Sequence, residues 1–166
     1  ILPPVLIGLI AAGLHGFAFG PDPLRDKGME GIDPFQQDRV ARVTAEAEGY
    51  LSGMRGAIAR AGDRGLETRV ARFEQTAREM IRTLEEDPRD LTSARKYLGV
   101  YLMGARDATA KFADLWAQAH SPEARRDYEA LLDDLERNFA AQRAAMLRDD
   151  KTDLDIEIGV LRDRLA

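Results

Sequence analysis

The residues most able to do chemistry are Arg95 and Lys96, beside Tyr97 and Tyr101, with Arg106 further along the same predicted helix. A guanidinium fork and an ammonium hold an anion well, and near a helix start the backbone dipole adds to them. Arg95, Lys96, Tyr97 and Arg106 are therefore the candidate anion-binding group. The alternative is that they are solvated residues whose aliphatic stems cover the edge of a core.

Other chemistries find less support. There is no G-x-S-x-G turn, and Ser52 and Ser93 have no histidine near them in sequence. Ser121 follows His120, but Ser121-Pro122 reads first as a helix cap followed by proline at the first helical position. The acidic string Asp149, Asp150, Asp153, Asp155 and Glu157 has the look of a calcium loop. Ile158 stands where such a loop needs glycine, and Arg164 where it needs the bidentate glutamate, so helix capping is the better reading. No E-x-x-H occurs, and no phosphate-cradling glycine loop follows a strand. No catalytic residue, metal ligand or cofactor is expected.

Composition bounds the rest. The chain has no cysteine, which removes thiolate nucleophiles, disulfides and cysteine zinc sites together. Its net charge is -5, so nucleic acid is not an expected partner. With 32% charged and 45% hydrophobic residues it is too apolar for disorder and too charged for a polytopic membrane protein.

The elements that must carry these residues are helices. Asp33-Pro34 reads as a cap and a first helical position, and Val40, Val43, Ala47, Leu51, Met54 and Ile58 follow at steps of three or four. Gly62-Asp63 ends that helix. Leu66, Val70, Phe73, Ala77, Met80 and Leu84 mark a second, which Asp87-Pro88 closes. A third runs from about Asp90 to His120, with a stripe of Leu91, Ala94, Leu98, Tyr101, Ala105, Ala108, Phe112, Leu115 and Ala119. Gly99 and Gly104 either weaken it or admit a close neighbour. The fourth carries Tyr128, Leu131, Leu135, Phe139, Gln142 and Met146, and a short fifth after Asp150 carries Leu154, Ile158, Leu161 and Leu165. The expected fold is all-α: an antiparallel up-and-down bundle of four long helices with coiled-coil character, plus a short C-terminal helix.

Before the bundle, residues 1–20 carry no charge and are about long enough to span a bilayer core of roughly 30 Å. They are read as a membrane segment, with a buried core helix or a signal peptide as alternatives. Residues 21–32 read as a Pro/Gly-rich linker, leaving 33–166 as the helical domain. Arg25, Lys27 and the many arginines beyond place that domain in the cytoplasm by the positive-inside rule. The start at Ile1 reads as the trimmed end of a longer chain.

The stretch SARKYLGVYLMGARDATAKFADL, from Ser93 to Leu115, resembles the 5-bromo-4-chloroindolyl phosphate hydrolysis family, also called XpaC-like. DYEALLDDLERNFAAQRAAML (Asp127 to Leu147) and DLDIEIGVLRDRL (Asp153 to Leu165) support it, so the likeness rests on the last third to half of the chain. The resemblance implies a bacterial protein with N-terminal membrane segments, a cytoplasmic helical domain and a TelA-like partner in toxic-anion (tellurite) resistance. It implies no catalytic residues. Three functions stay open: a membrane-tethered interaction protein, a phosphoesterase on aryl or indolyl phosphates, and a membrane-remodelling polymer.

Overall fold

The structure is a computed structural model, and it describes residues 33–165. The proposed membrane segment and linker lie outside the described residues. Contacts divide the chain into Ile1–Asp33 and Pro34–Ala166, and the second unit is an all-helical bundle. No helix among the described residues is long and apolar enough to cross a membrane.

Helix α1 spans Pro34–Ala59 and α2 spans Arg64–Glu86. Gly62 turns the chain between them with a positive φ of 66°, a conformation in which a Cβ would be strained. Asp63 then caps α2, its Oδ1 accepting from the Leu66 N–H at 3.0 Å. After α2, Asp87 leaves the helix ahead of a buried Pro88, and a single 3₁₀ turn, Pro88–Asp90, leads into α3.

Helix α3 covers residues 91–119 and is not uniform. It is α-helical over Leu91–Arg95, widens to π geometry over Lys96–Tyr101, and returns to α over Leu102–Ala119. Within the wide turn the Leu102 N–H reaches back to the Tyr97 carbonyl. The wider turn delays the next inward position by one residue. Leu102 is buried where Tyr101 was expected, and Thr109 and Ala113 follow, while Leu115 is exposed. Gly99 and Gly104 admit no close neighbour, since a Cβ on either would meet open space.

His120 ends α3 in the left-handed region, and Ser121 caps α4 by accepting from the Ala124 N–H at 3.2 Å. Helix α4 runs unbroken through Pro122–Leu165, 44 residues. The expected short fifth helix is therefore its continuation. An aspartate caps a helix only where the chain leaves it, and no proline or glycine stands near Asp150 to make it leave. Thr152 instead donates to the Arg148 carbonyl one turn back. On the same helix Leu132, not Leu131, faces the core.

Successive helices run in opposite directions, but α2 and α3 are not side by side beyond the corner that joins them. Each of the four helices has one antiparallel and one parallel neighbour. Across the parallel pair α1/α3, Arg60 in the turn after α1 reaches Asp114, and the Arg106 guanidinium lies over the Tyr50 ring at 5.0 Å. In the parallel pair α2/α4, Arg69 meets Asp133 and Glu136, and Arg143 meets Thr83. In the antiparallel pair α1/α2, Arg55 and Arg78 reach Glu74 and Glu48. In α3/α4, Phe112 stacks on Tyr128 with centroids 4.4 Å apart. At the centre Phe139 meets Phe73 and Tyr97 edge-on, at 5.2 and 5.5 Å. These are favoured aromatic geometries that add to the burial of the rings.

Candidate functional site

Of the four anion-site residues read from sequence, the fold brings two to one groove. Arg95 and Lys96 are both exposed, on the last α residue and the first π residue of α3. Both line a groove of about 550 Å³ against α1, with Val43, Glu46 and Tyr50 on the far wall. Tyr97 lines neither this groove nor the cleft beside it; its ring packs on Phe139 and Tyr101. Arg106 does not line the groove: it pairs with Asp107, lies over the Tyr50 ring and crosses α1 beside Gly53. A Cβ at Gly53 would lie 3.0 Å from the Arg106 Cδ, so a side chain here would push the Arg106 chain aside by a few tenths of an ångström.

Sequence reasoning missed Arg39 and Arg42. They stand one turn apart on α1 and share a cleft of about 290 Å³ with Arg95, Val43, Glu46 and Leu91. The two concavities adjoin, since Val43, Glu46 and Arg95 line both. Glu46 is the one carboxylate among the lining residues, and it accepts a 2.7 Å hydrogen bond from the Tyr50 hydroxyl. That bond is the first cause of the raised Tyr50 pKa. Lys96 leans over the Tyr101 ring at 5.2 Å, and the hydroxyl beside it raises the ammonium pKa. The only hint of Arg39 and Arg42 in the sequence is that both fall on the flank of the first apolar stripe, one position before Val40 and Val43.

A second feature lies at the far end of α4. Every residue from Lys151 to Leu165 is exposed. The last ion pair to the body is Asp153 with Arg89, at 3.9 Å. Beyond it Leu154, Ile158, Leu161 and Leu165 are 55, 41, 59 and 79% exposed, on one face of a helix that the described helices of the bundle leave uncovered. The stripe read from sequence exists, but the bundle does not cover it.

The acidic string divides between these regions. Asp149, Asp150 and Asp153 gather at the corner with Asp87, Arg89 and Asp90, while Asp155 and Glu157 lie on the projecting helix. Arg89 holds Asp87 below the usual carboxylate range, and burial with a hydrogen bond to Asp87 pushes Asp150 up. Among the described residues no group of three or more His, Asp or Glu is arranged to hold a metal ion.

A helical bundle with a cationic groove at one end of α3 and an uncovered apolar helix at its C-terminus is the class of protein this defines. The family model of the 5-bromo-4-chloroindolyl phosphate hydrolysis protein matches residues 1–161, and the chain belongs to that family. The match takes in the first two helices as well as the C-terminal stretches that carried the resemblance. No curated protein and no solved structure matches the chain.

Proposed function

We propose that this protein is a membrane-tethered helical interaction protein that associates through the projecting end of α4. The observation that carries this is the uncovered stripe. Leu147, Leu154 and Leu161 recur every seven residues, and Ile158 and Leu165 occupy the alternate seam positions. Leucine at one seam position with the β-branched Ile158 at the other suits a parallel two-stranded coiled coil. In that register Glu157 of one copy faces Arg162 of the other, a favourable flanking pair. Lys151 at a seam position would fix register at some cost in stability. The tether is residues 1–20, with the bundle on the cytoplasmic side of the membrane.

A second copy of the chain is the first partner this pattern suits, and a TelA-like protein is the second. Sedimentation of the full chain in uncharged detergent tests the first. Wild type should dimerise, and Leu154→Asp with Leu161→Asp should leave a monomer with the same helical content. If wild type is already monomeric, self-association fails, and capture of a TelA-like protein by the same face becomes the deciding measurement. Deleting residues 1–20 should release the bundle from the membrane fraction; continued pelleting with membranes would end the tether reading. The family's description names hydrolysis of an indolyl phosphate, so release of the indoxyl product by the purified chain would favour an esterase instead.

A further inference from the structure

Elsewhere in the bundle, arginines that face another element meet a carboxylate. Arg55 has Glu74, Arg60 has Asp114, Arg69 has Asp133 and Glu136, Arg78 has Glu48, Arg125 has Asp63, and Arg143 has Glu79. Arg39, Arg42 and Arg95 break the pattern. They face one cleft from two helices, and none of them forms an ion pair or side-chain hydrogen bond among the described residues. Glu46, the carboxylate that lines the same cleft, accepts from the Tyr50 hydroxyl and is not paired with any of the three. Three arginines line one concavity, and an anion seated between them would be attracted to all three guanidinium groups. Their planar forks suit the oxygens of a phosphate group better than those of a spherical ion.

The adjoining groove says what the anion is attached to. Its wall includes Val100 and Met103, 59 and 41% exposed, with Gly99 between Leu98 and Val100 adding no side chain. The wide turn at Lys96–Tyr101 forms this part of the wall, and such turns often occur at functional positions. A cationic cleft that continues into an apolar groove is complementary to an amphiphile with a charged head.

We propose that Arg39, Arg42 and Arg95 receive the phosphate of a phosphoester whose apolar part lies along Val100 and Met103. The shared chemistry is a phosphate joined to an apolar body, supplied by an anionic lipid headgroup or by a soluble organic phosphate. The site lies apart from the projecting end of α4 and does not depend on the association proposed above.

The test follows the arginine Nε–H signals of the full chain in uncharged detergent by NMR. Three probes are titrated separately: dihexanoylphosphatidylglycerol, phenyl phosphate and inorganic phosphate. The Arg39, Arg42 and Arg95 signals should shift saturably with at least one phosphoester and more weakly with inorganic phosphate. Arg42→Gln and Arg95→Gln should each weaken binding about tenfold, the value of one charge-assisted hydrogen bond. Arg148→Gln, which removes an exposed arginine of α4 outside the groove, should leave binding unchanged. Val100→Asp should weaken the phosphoesters more than inorganic phosphate.

Saturation by the lipid alone names the headgroup as the source, and saturation by phenyl phosphate alone names a soluble ester. Both support the site. No saturable shift with any probe, or an Arg95→Gln protein that binds as wild type does, overturns it. Because the three arginines are exposed and have no ion pair among the described residues, their variants should keep the wild-type helical signal. Gly99→Leu supplies an independent variant that obstructs the groove without removing charge, and it too should weaken the phosphoesters.

Discussion

The Tyr128 hydroxyl donates a 2.8 Å hydrogen bond to the Thr109 hydroxyl, between two buried residues of α4 and α3. The direction is fixed by proton count. Thr109 has one hydroxyl proton and gives it to the Ala105 carbonyl at 2.7 Å, so Tyr128 is the donor. Burial pushes the Tyr128 pKa up to about 12, keeping it a neutral donor. The two single variants should therefore differ. Tyr128→Phe leaves Thr109 bonded to Ala105 and should cost about 1 kcal/mol, whereas Thr109→Val strands a buried hydroxyl and should cost about 2 kcal/mol. Removing both should cost less than the sum of the two, and chemical denaturation of the four proteins gives the comparison.

Glu74 is a second asymmetric case. Its side chain is buried on α2, with Arg55 at 3.0 Å and Arg78 at 3.4 Å, while both arginines keep access to water. Removing both arginines would leave a buried carboxylate unpaired and should cost about 3 kcal/mol. Glu74→Met instead leaves Arg55 free to rehydrate and Arg78 still paired with Glu48, and should stay within about 1 kcal/mol of wild type. Thermal melts that rank the two in the opposite order would contradict this account of the network.

The corner where α4 passes the 3₁₀ turn should make stability depend on pH. Burial, then the charges of Asp150, Asp87 and Asp149, pushes the Asp90 pKa up to about 6 from 3.8. One of its carboxylate oxygens is buried without a hydrogen-bond partner among the described residues. A carboxyl raised on folding binds its proton more tightly in the folded state. Its ionisation therefore costs stability progressively as pH rises from about 4 through about 6. Asp63 and Glu136, held low by their partners, act in the opposite sense and lose their contribution only in more acidic solution. Asp90→Asn should stabilise the protein at pH 7 by about 1 kcal/mol after allowance for solvent screening. It should also flatten the stability profile between pH 4 and 6, which denaturation across that range would reveal.

Gly62 supplies a prediction about backbone alone. A Cβ there meets nothing within 4 Å, so space is not limiting, but the φ of 66° is. Gly62→Ala should destabilise by about 1 kcal/mol, and Gly62→Asn by less, because asparagine tolerates the left-handed region. Equal melting temperatures for wild type and Gly62→Ala would show that the turn relaxes.

Substitutions on the projecting helix should behave unlike any of these. Leu161→Asp alters a residue that no other part of the bundle covers, so it should leave the melting transition of isolated monomers within about 0.5 kcal/mol of wild type. Its effect should fall on association instead, as a shift of the sedimentation profile toward monomer at the same concentration.

The sequence by itself determined the ends of α1, α2 and α3 and the start of α4, though not α4's unbroken run past Asp150, and which faces of α1 and α2 are buried. Gly62-Asp63, Asp87-Pro88 and Ser121-Pro122 act within a few residues of themselves, through φ, a missing N–H or a capping oxygen. All six stripe residues of α2, from Leu66 to Leu84, are buried, and so are five of the six on α1, with Val43 half-buried beside the arginine cleft. Tertiary structure decided the rest. The wide turn that exchanged Tyr101 for Leu102 depends on what α3 packs against, as does the choice of Leu132 over Leu131 on α4. Periodicity assumes a uniform helix and cannot locate one extra residue in a turn. Arg95 was legible as a cation near a helix start, but its meeting with Arg39 and Arg42 was not. Those residues come together because α1 and α3 are parallel neighbours, a pairing set by burial across the whole bundle and carried by no local pattern.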